Sequence, residues 1–289
     1  MSVNVINKAK LDAIGTSIEC IYQQQYDKVE DNLNAVVYGE HHTKHAITEI
    51  ASLDGFGLMR EFKSERVPGV IGSLITIVKP KKYERTIDIK REDIEDDTYG
   101  YATDMAKTVA VASRRTPIKM VADVLMAGFT TNMSDGKTFF HADRGNLQTG
   151  ALNATNLKAA REKLSKMTDG EGQPLCFVAD TLVVGPNNQS AAEEILNSQM
   201  VSGSTNVLYK SLKLVVSPYI TDNSWYVLST KEGSHPLVFV YRVKPDKIIA
   251  KNDENSDRAF DKDVFSWGTR GRFAAAYHNP KLIVGSTGA

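Results

Sequence analysis

The chain has 289 residues, 42% of them hydrophobic and 24% charged, with 20 glycines and 9 prolines. That balance excludes a disordered, collagen-like or low-complexity protein and is enough to build one large core or two small ones. The 35 basic and 35 acidic side chains cancel, which argues against a protein that grips a duplex by neutralising its phosphates.

The first residues, MSVNVINKAK, lack the charged-then-apolar layout of a secretory signal, and apolar runs such as IGSLITIV are far shorter than a membrane span. Cys20 and Cys176 are each flanked by apolar residues and form neither a disulfide framework nor a zinc spacing. They are expected to be buried, reduced thiols in a protein that stays in a reducing interior.

In chain order, Leu11, Ile14, Ile18, Ile21 and Tyr22 recur at helical spacing and predict an amphipathic helix from Val5 to about Val29. NLNAVVYGE then reads as a short strand ending in a turn. His41, His42 and His45 follow closely, but without a supporting set of carboxylates or cysteines the bland reading, a solvated turn, is preferred to a metal site. From Gly57 to Arg91, the charged GLMREFKSERVPG, punctuated by Pro68-Gly69, and the alternating IGSLITIVKPKKYERTIDIKRED predict two extended runs joined by a turn, a long hairpin. Its second run alternates, with Tyr83, Arg85, Ile87 and Ile89 on one face and Glu84, Thr86, Asp88 and Lys90 on the other. A lone two-stranded hairpin is marginal in water, so its apolar face needs cover.

Asp93, Glu95, Asp96 and Asp97 crowd the start of the next helix, where its dipole favours carboxylates; they match no calcium-loop pattern. That helix carries Tyr101, Met105 and Val109, then Ile118, Val121 and Leu125, and stops at Gly128. Pro117 is expected to kink or split it. Asn153 predicts an N-cap for a helix bearing Leu157, Ala160, Leu164 and Met167. Beyond it the pattern is strand-rich: CFVADTLVVG, SLKLVVSP, SWYVLST, PLVFVYR and DKIIA, with one helix at NQSAAEEILNS. A polar acidic loop, KNDENSDRAFDKD, precedes two last strands around Trp267 and Phe273. The fold class is α+β.

Chemistry is hard to find. No nucleophile elbow, zinc-protease motif, phosphate-cradling loop or dinucleotide fingerprint occurs. His141 and Asp143, in DGKTFFHADRGN, would join Cys176 in a hydrolase reading, but two residues apart they suit a turn equally well. The expected role of His141 is hydrogen bonding behind Phe139 and Phe140. No catalytic residue, cofactor or resident metal is expected.

Four collinear stretches carry a resemblance. DGKTFFHADRGN with TGALNATNLKAAREKL is similar to the central signature of Mu-like phage major head subunits, the T-protein family of major capsid proteins. GLMREFKSERV and YERTIDIKREDIEDDTYGYA resemble that family's hairpin and the entry to its long helix. GTRGRFAAAYHNPKLIVG resembles its C-terminal strand, ending in an aromatic-Xaa-Asn-Pro turn at Tyr277, Asn279 and Pro280. The likeness runs from about Thr48 onwards and does not cover the His41–His45 run.

The resemblance implies the Hong Kong 97-type capsid fold. Its parts would be an N-terminal arm over 1–56 and an extended loop over 57–92. A peripheral domain over 93–171 would hold a spine helix within 98–128, an axial domain would span 172–260, and 261–289 would return to the peripheral domain. It implies a shell subunit of a tailed phage or prophage, present in the virion and assembled in the host cytoplasm around double-stranded DNA touched non-specifically on the inner face. Partners would be other copies in hexamers and pentamers, a scaffolding protein, a portal and decoration proteins, with no membrane. Contacts between copies are expected from Arg60, Glu61, Lys63, Glu65, Arg66, Lys81 and Lys82 as ion pairs and from Ile75, Ile77, Ile87 and Ile89 as apolar cover. Some shells of this fold are cross-linked by Lys–Asn isopeptide bonds; no Glu–Asn setting accompanies Lys81 or Lys82, so none is expected here. An encapsulin-like cellular compartment is the alternative within the fold.

Overall fold

A computed structural model describes residues 8–34, 36–53, 73–96, 99–201, 204–231 and 233–289. Helix α1 (Lys8–Lys28) buries Leu11, Ile14, Ile18, Tyr22 and Tyr26, the stripe that the spacing predicts. Cys20 lies two residues from both Ile18 and Tyr22, roughly 200° round the helix at about 100° per residue, and is exposed; Cys176 is exposed as well. The expectation of buried thiols is therefore corrected.

Strand β1 (Tyr38–His42) includes His41 and His42, which the sequence reading placed in a turn. Parallel pairing with a strand 199 positions later, from Tyr38↔Leu237 to His42↔Tyr241, holds them extended. Strands β2 (Thr48–Leu53) and β3 (Ser73–Val78) form an antiparallel pair. β4 (Lys81–Lys90) pairs elsewhere. β3 and β4 thus do not pair with each other: β3 finds its partner upstream of residues 54–72, and the part of the predicted Gly57–Arg91 hairpin before Ser73 lies outside the described residues. Local alternation defines a strand but leaves its partner open.

After the short α2 (Arg91–Glu95), the long α3 (Tyr99–Ala127) runs unbroken through Pro117. In the turn before the proline, the Ser113 and Thr116 hydroxyls donate to the carbonyls of Val109 and Ala112, at 2.7 Å each. Next come β5 (Leu147–Gln148), α4 (Ala154–Ser165), β6 (Thr181–Val184), α5 (Gln189–Asn197) and a minimal ribbon, β7 (Met200–Val201) with β8 (Ser204–Thr205). Asn153 caps α4 as predicted, its side chain accepting from the Asn156 N–H at 2.8 Å. The remaining elements are β9 (Lys213–Val216), β10 (Trp225–Leu228), β11 (Leu237–Val243), β12 (Ile248–Lys251), α6 (Asp257–Lys262), β13 (Val264–Tyr277) and β14 (Ile283–Ser286). The two strands expected around Trp267 and Phe273 are one 14-residue strand, and the acidic loop before them contains α6.

Two five-stranded sheets result. The first is organised by β13. Its one edge takes β4 from Lys90 to Lys81, and its other edge takes β12 and then β11, with β1 beyond. Alternate residues of β13 (Phe265, Trp267, Phe273, Tyr277) pack against α1 and α3. The opposite face carries Arg270 and Arg272; among the described residues Val78 of β3 covers it at Val238, Val240 and Ala276, and Ser266 is buried beside Asp88. The second sheet runs β5-β14-β10-β6-β9 and packs on α4 and α5 through Leu157, Leu164, Leu182, Val184, Trp225 and Val284. Sheet membership follows other limits than the expected segments. Helix α4 joins the second sheet, β11 and β12 join the first, and β14 returns the chain to the second.

Candidate assembly surface

The signature around His141 is the joint between the two sheets. Phe139 and Phe140 are fully buried, Phe139 stacked on Tyr277 at 4.7 Å between ring centroids and Phe140 on Phe129 at 4.5 Å. Gly285 of β14 passes so close to the Phe140 ring that a Cβ there would sit 2.7 Å from it. Buried Asn146 holds the segments together. Its Oδ1 accepts from the His141 N–H at 3.0 Å, and its Nδ2 donates to the carbonyls of Phe139 (2.9 Å) and Pro280 (3.1 Å). The central signature and the Tyr277–Pro280 turn, distant in sequence, are one packed unit.

His141 and Asp143 do structural work in it. The His141 Nδ1 accepts from the Asp143 N–H at 3.1 Å and so caps a short 3-10 turn that ends at Gly145 in the left-handed region (φ 72°). The Asp143 carboxylate is solvent-exposed and takes a hydrogen bond from Lys137 at 2.6 Å, which holds its carboxyl below the usual range. Its oxygen is 3.7 Å from the His141 Nδ1, beyond a hydrogen bond. An imidazole whose Nδ1 lone pair receives a backbone N–H is not oriented by the carboxylate as a general base is. The Cys176 thiol, an exposed loop group, contacts the Pro174 carbonyl at 3.8 Å.

A second polar cluster, which sequence reading missed, ties the segment after α1 to the long helix. Asp31, with its side chain 3% exposed, accepts from the Tyr38 hydroxyl and lies 3.8 Å from Arg114 of α3. Arg114 also sits 3.9 Å from Glu40 and covers the Tyr26 ring at 5.7 Å. Burial raises the Tyr38 hydroxyl far above the ordinary phenol range and pushes Tyr26 up to about 12. No spacing pattern marks this set, because its members come from α1, the β1 segment and α3.

The expected contact residues divide into three groups. Arg60, Glu61, Lys63, Glu65 and Arg66 lie outside the described residues. Ile75 and Ile77 are on β3 and remain 45% and 59% exposed, beside a cleft of about 930 Å³ reaching Met120 and Val124 of α3. Ile87 and Ile89 are buried, at 7% and 2%, among Leu11, Ile18, Val109 and Phe265 of the same chain. As apolar cover for a neighbour these two are corrected: pairing along β13 turns their face onto α1 and α3. Lys81 and Lys82 are exposed on β4 opposite Phe273 and Arg272. His42 stacks on Tyr241 at 5.7 Å, and among the described residues no group of His, Cys, Asp or Glu has metal-holding geometry. None of the described helices is long and apolar enough to cross a membrane.

A sequence profile of a family described as phage capsid protein matches residues 74–284, from β3 to β14. The chain belongs to this phage capsid protein family. It is 25% identical over 198 residues to the Mu-like prophage FluMu major head subunit of Haemophilus influenzae, a match covering 68% of this chain and 47% of that one, so the chain spans about half the length of that relative. In fold it is similar to the procapsid protein of bacteriophage JBD30, with TM-score 0.61 at 20% identity over 98% of this chain and 76% of that one. It is also similar to the virus-like particle protein of Pyrococcus furiosus, with TM-score 0.54 at 10% identity over 94% and 98% of the two chains. The α+β architecture is that of the Hong Kong 97-type capsid proteins. In this member of the family the FFHADRGN stretch joins two sheets.

Proposed function

We propose that this chain is the major head subunit of a tailed phage or prophage, assembling as hexamers and pentamers into an icosahedral shell around double-stranded DNA. The observation that carries the reading is the family match running unbroken across both sheets, from β3 to β14. The first sheet with α1 and α3 would be the peripheral part, α3 its spine helix, and the second sheet with α4 and α5 the axial part. The β2–β3 ribbon would be the root of the extended loop. Scaffold, portal and decoration proteins would be its further partners, assembly would take place in the host cytoplasm, and the role is structural, with no catalysis.

The geometry favours such contacts. The β2–β3 ribbon keeps Ile75 and Ile77 bare, and a neighbouring copy offers the cover that a two-stranded ribbon lacks. Apolar burial at roughly 25 cal/mol per Å² would supply the affinity. Charged pairs along the ribbon, worth about 0–1 kcal/mol each, would select register and partner. Because the P. furiosus particle protein shares the fold, a compartment around protein cargo is the second reading.

The test is electron microscopy of the purified chain beside the I75D/I77D double variant. Wild type is expected to form uniform closed particles containing nucleic acid, and the variant to stay folded but unassembled. A wild-type chain that remains monomeric at high concentration overturns the shell reading; particles holding protein cargo instead of nucleic acid favour the compartment.

A further inference from the structure

The first sheet separates charge along β13. At one end, Lys82 of β4, Arg242 at the β11 bulge, and Arg270 and Arg272 of β13 surround a cleft of about 470 Å³ that Tyr83 and Gly271 also line. Glu84 is the lone carboxylate in the lining, and it accepts from the Thr86 hydroxyl at 2.8 Å. Among the described residues none of these four cations has an ion-pair partner; Arg272 donates through Nε to the Pro80 carbonyl at 3.2 Å. Four like charges converging on one cleft repel one another and raise its affinity for an anionic group.

At the other end, α6 presents the reverse. Phe260 is 88% exposed, the most exposed large apolar side chain among the described residues. Around it in sequence stand Asp253, Glu254, Asp257 and Asp261, all exposed. The Arg258 guanidinium of α6 donates to Asp88 at 2.5 Å, and Asp88 also accepts from Ser266, a residue on the same face of β13 as Arg270 and Arg272. Helix α6 thus sits at the sheet margin, with Arg258 turned to the Asp88–Ser266 face, Ala259 buried among Phe265 and Trp267 on the other face, and Phe260 left in solvent. Seven residues separate Val264 from Gly271, on the order of 20 Å of strand, so the knob cannot reach its own cleft.

We infer that the α6 knob of one copy docks into the Lys82–Arg242–Arg270–Arg272 cleft of a second copy, a head-to-tail contact within the shell proposed above. The charge complementarity is supplied by the chain itself, in equal copy number, as its balanced 35 basic and 35 acidic side chains allow. An exposed aromatic ring on a helix that also carries the exposed carboxylates of Asp257 and Asp261 suits a cleft walled by arginines, which stack on aromatic faces and pair with carboxylates. A contact between two different patches repeats from copy to copy and closes into a ring when the rotation allows. Exposed aromatic knobs of this kind act as interface anchors.

The test measures the critical concentration for particle formation of the full chain and three variants. Phe260→Ala, whose side chain makes no core contact, is expected to raise it about tenfold. R270E/R272E is expected to abolish particles at the wild-type threshold, and R270E/R272E with D257K/D261K in one chain to restore them. Circular dichroism and melting temperature check that each variant is folded. Wild-type thresholds for both F260A and R270E/R272E overturn the docking while leaving the shell reading intact. R270E/R272E particles that form normally but lose their nucleic acid assign the cleft to DNA and overturn it as well. Absence of wild-type particles counts instead against the shell reading.

Discussion

The two sheets contain the same number of strands and solve burial in opposite ways. In the second, β6, β10 and β14 are buried at every residue: α4 and α5 cover one face, and the layer around Phe140 and Tyr226 covers the other. In the first, β4 is buried at Ile87 and Ile89 alone, and the face bearing Arg270, Arg272 and Ile249 is open at those residues though covered at Val238, Val240, Ser266 and Ala276. A sheet covered on both sides can be stable within one chain. A sheet with one partly open, charged face has surface left for other molecules. The difference locates self-sufficiency in one half of the chain and availability in the other.

The largest blow to that contrast is Trp225→Ala in the second sheet. The ring is fully buried and its Nε1 donates to the Gly150 carbonyl at 3.2 Å. Loss of about 3–5 kcal/mol is expected, read as a lower denaturant midpoint for the whole chain. A change below about 1 kcal/mol would show that this sheet is not the self-supporting one.

Alkali should act on the first half instead. Tyr22, Tyr26, Tyr38 and Tyr241 lie in the layers between the first sheet and its helices, whereas the second sheet contributes one raised hydroxyl, Tyr226 of β10, and the core under α4 and α5 contains no tyrosine among the described residues. Burial raises all four hydroxyls, Tyr26 to about 12. Their pKa values are higher folded than unfolded, so the stabilisation is complete below about pH 10 and is lost as pH rises from there through the folded values. Circular dichroism with tyrosinate absorbance should show native structure at pH 9 and then loss beginning in the first half. Early exposure of Trp225 instead would reverse the order.

The smallest effect is expected at the joint's outer edge. His141→Ala removes one partly exposed cap and should cost at most about 1 kcal/mol, with particle formation retained. His141→Asn, which keeps an acceptor near the Asp143 N–H, should recover most of it. A loss of several kcal/mol would mean that the histidine holds the sheets together beyond its cap.

What could be read from the sequence was whatever depends on neighbours in the chain. The α1 stripe, the Asn153 cap, the shared face of Ile87 and Ile89 on β4, though not what covers it, and the strands around Trp225 and Phe239 all follow from periodicity and local hydrogen bonding. What depended on distant partners could not be read. Nothing local in SLITIV says that it pairs with TEIASL rather than with the run beyond Pro80, and nothing in EHH reveals the strand 199 positions on that keeps it extended. The gathering of Asp31 with Arg114, Asn146 with Pro280 and Lys82 with Arg272 is likewise a product of tertiary packing. The charged residues expected between copies came from resemblance; the face on which four cations meet came from the pairing of β4 and β11 along β13.

That pairing also sets a schedule. Asp88 of β4 and its partner Ser266 of β13 are 178 residues apart. At about 5–20 residues per second, synthesis leaves β4 without its neighbour for on the order of ten seconds or more. Until β13 emerges, neither the inward burial of Ile87 and Ile89 nor the cation cleft exists, so the docking inferred above would find no receptor on a nascent chain. Translation would thus time that one docking, whereas the ribbon bearing Ile75 and Ile77 is made early.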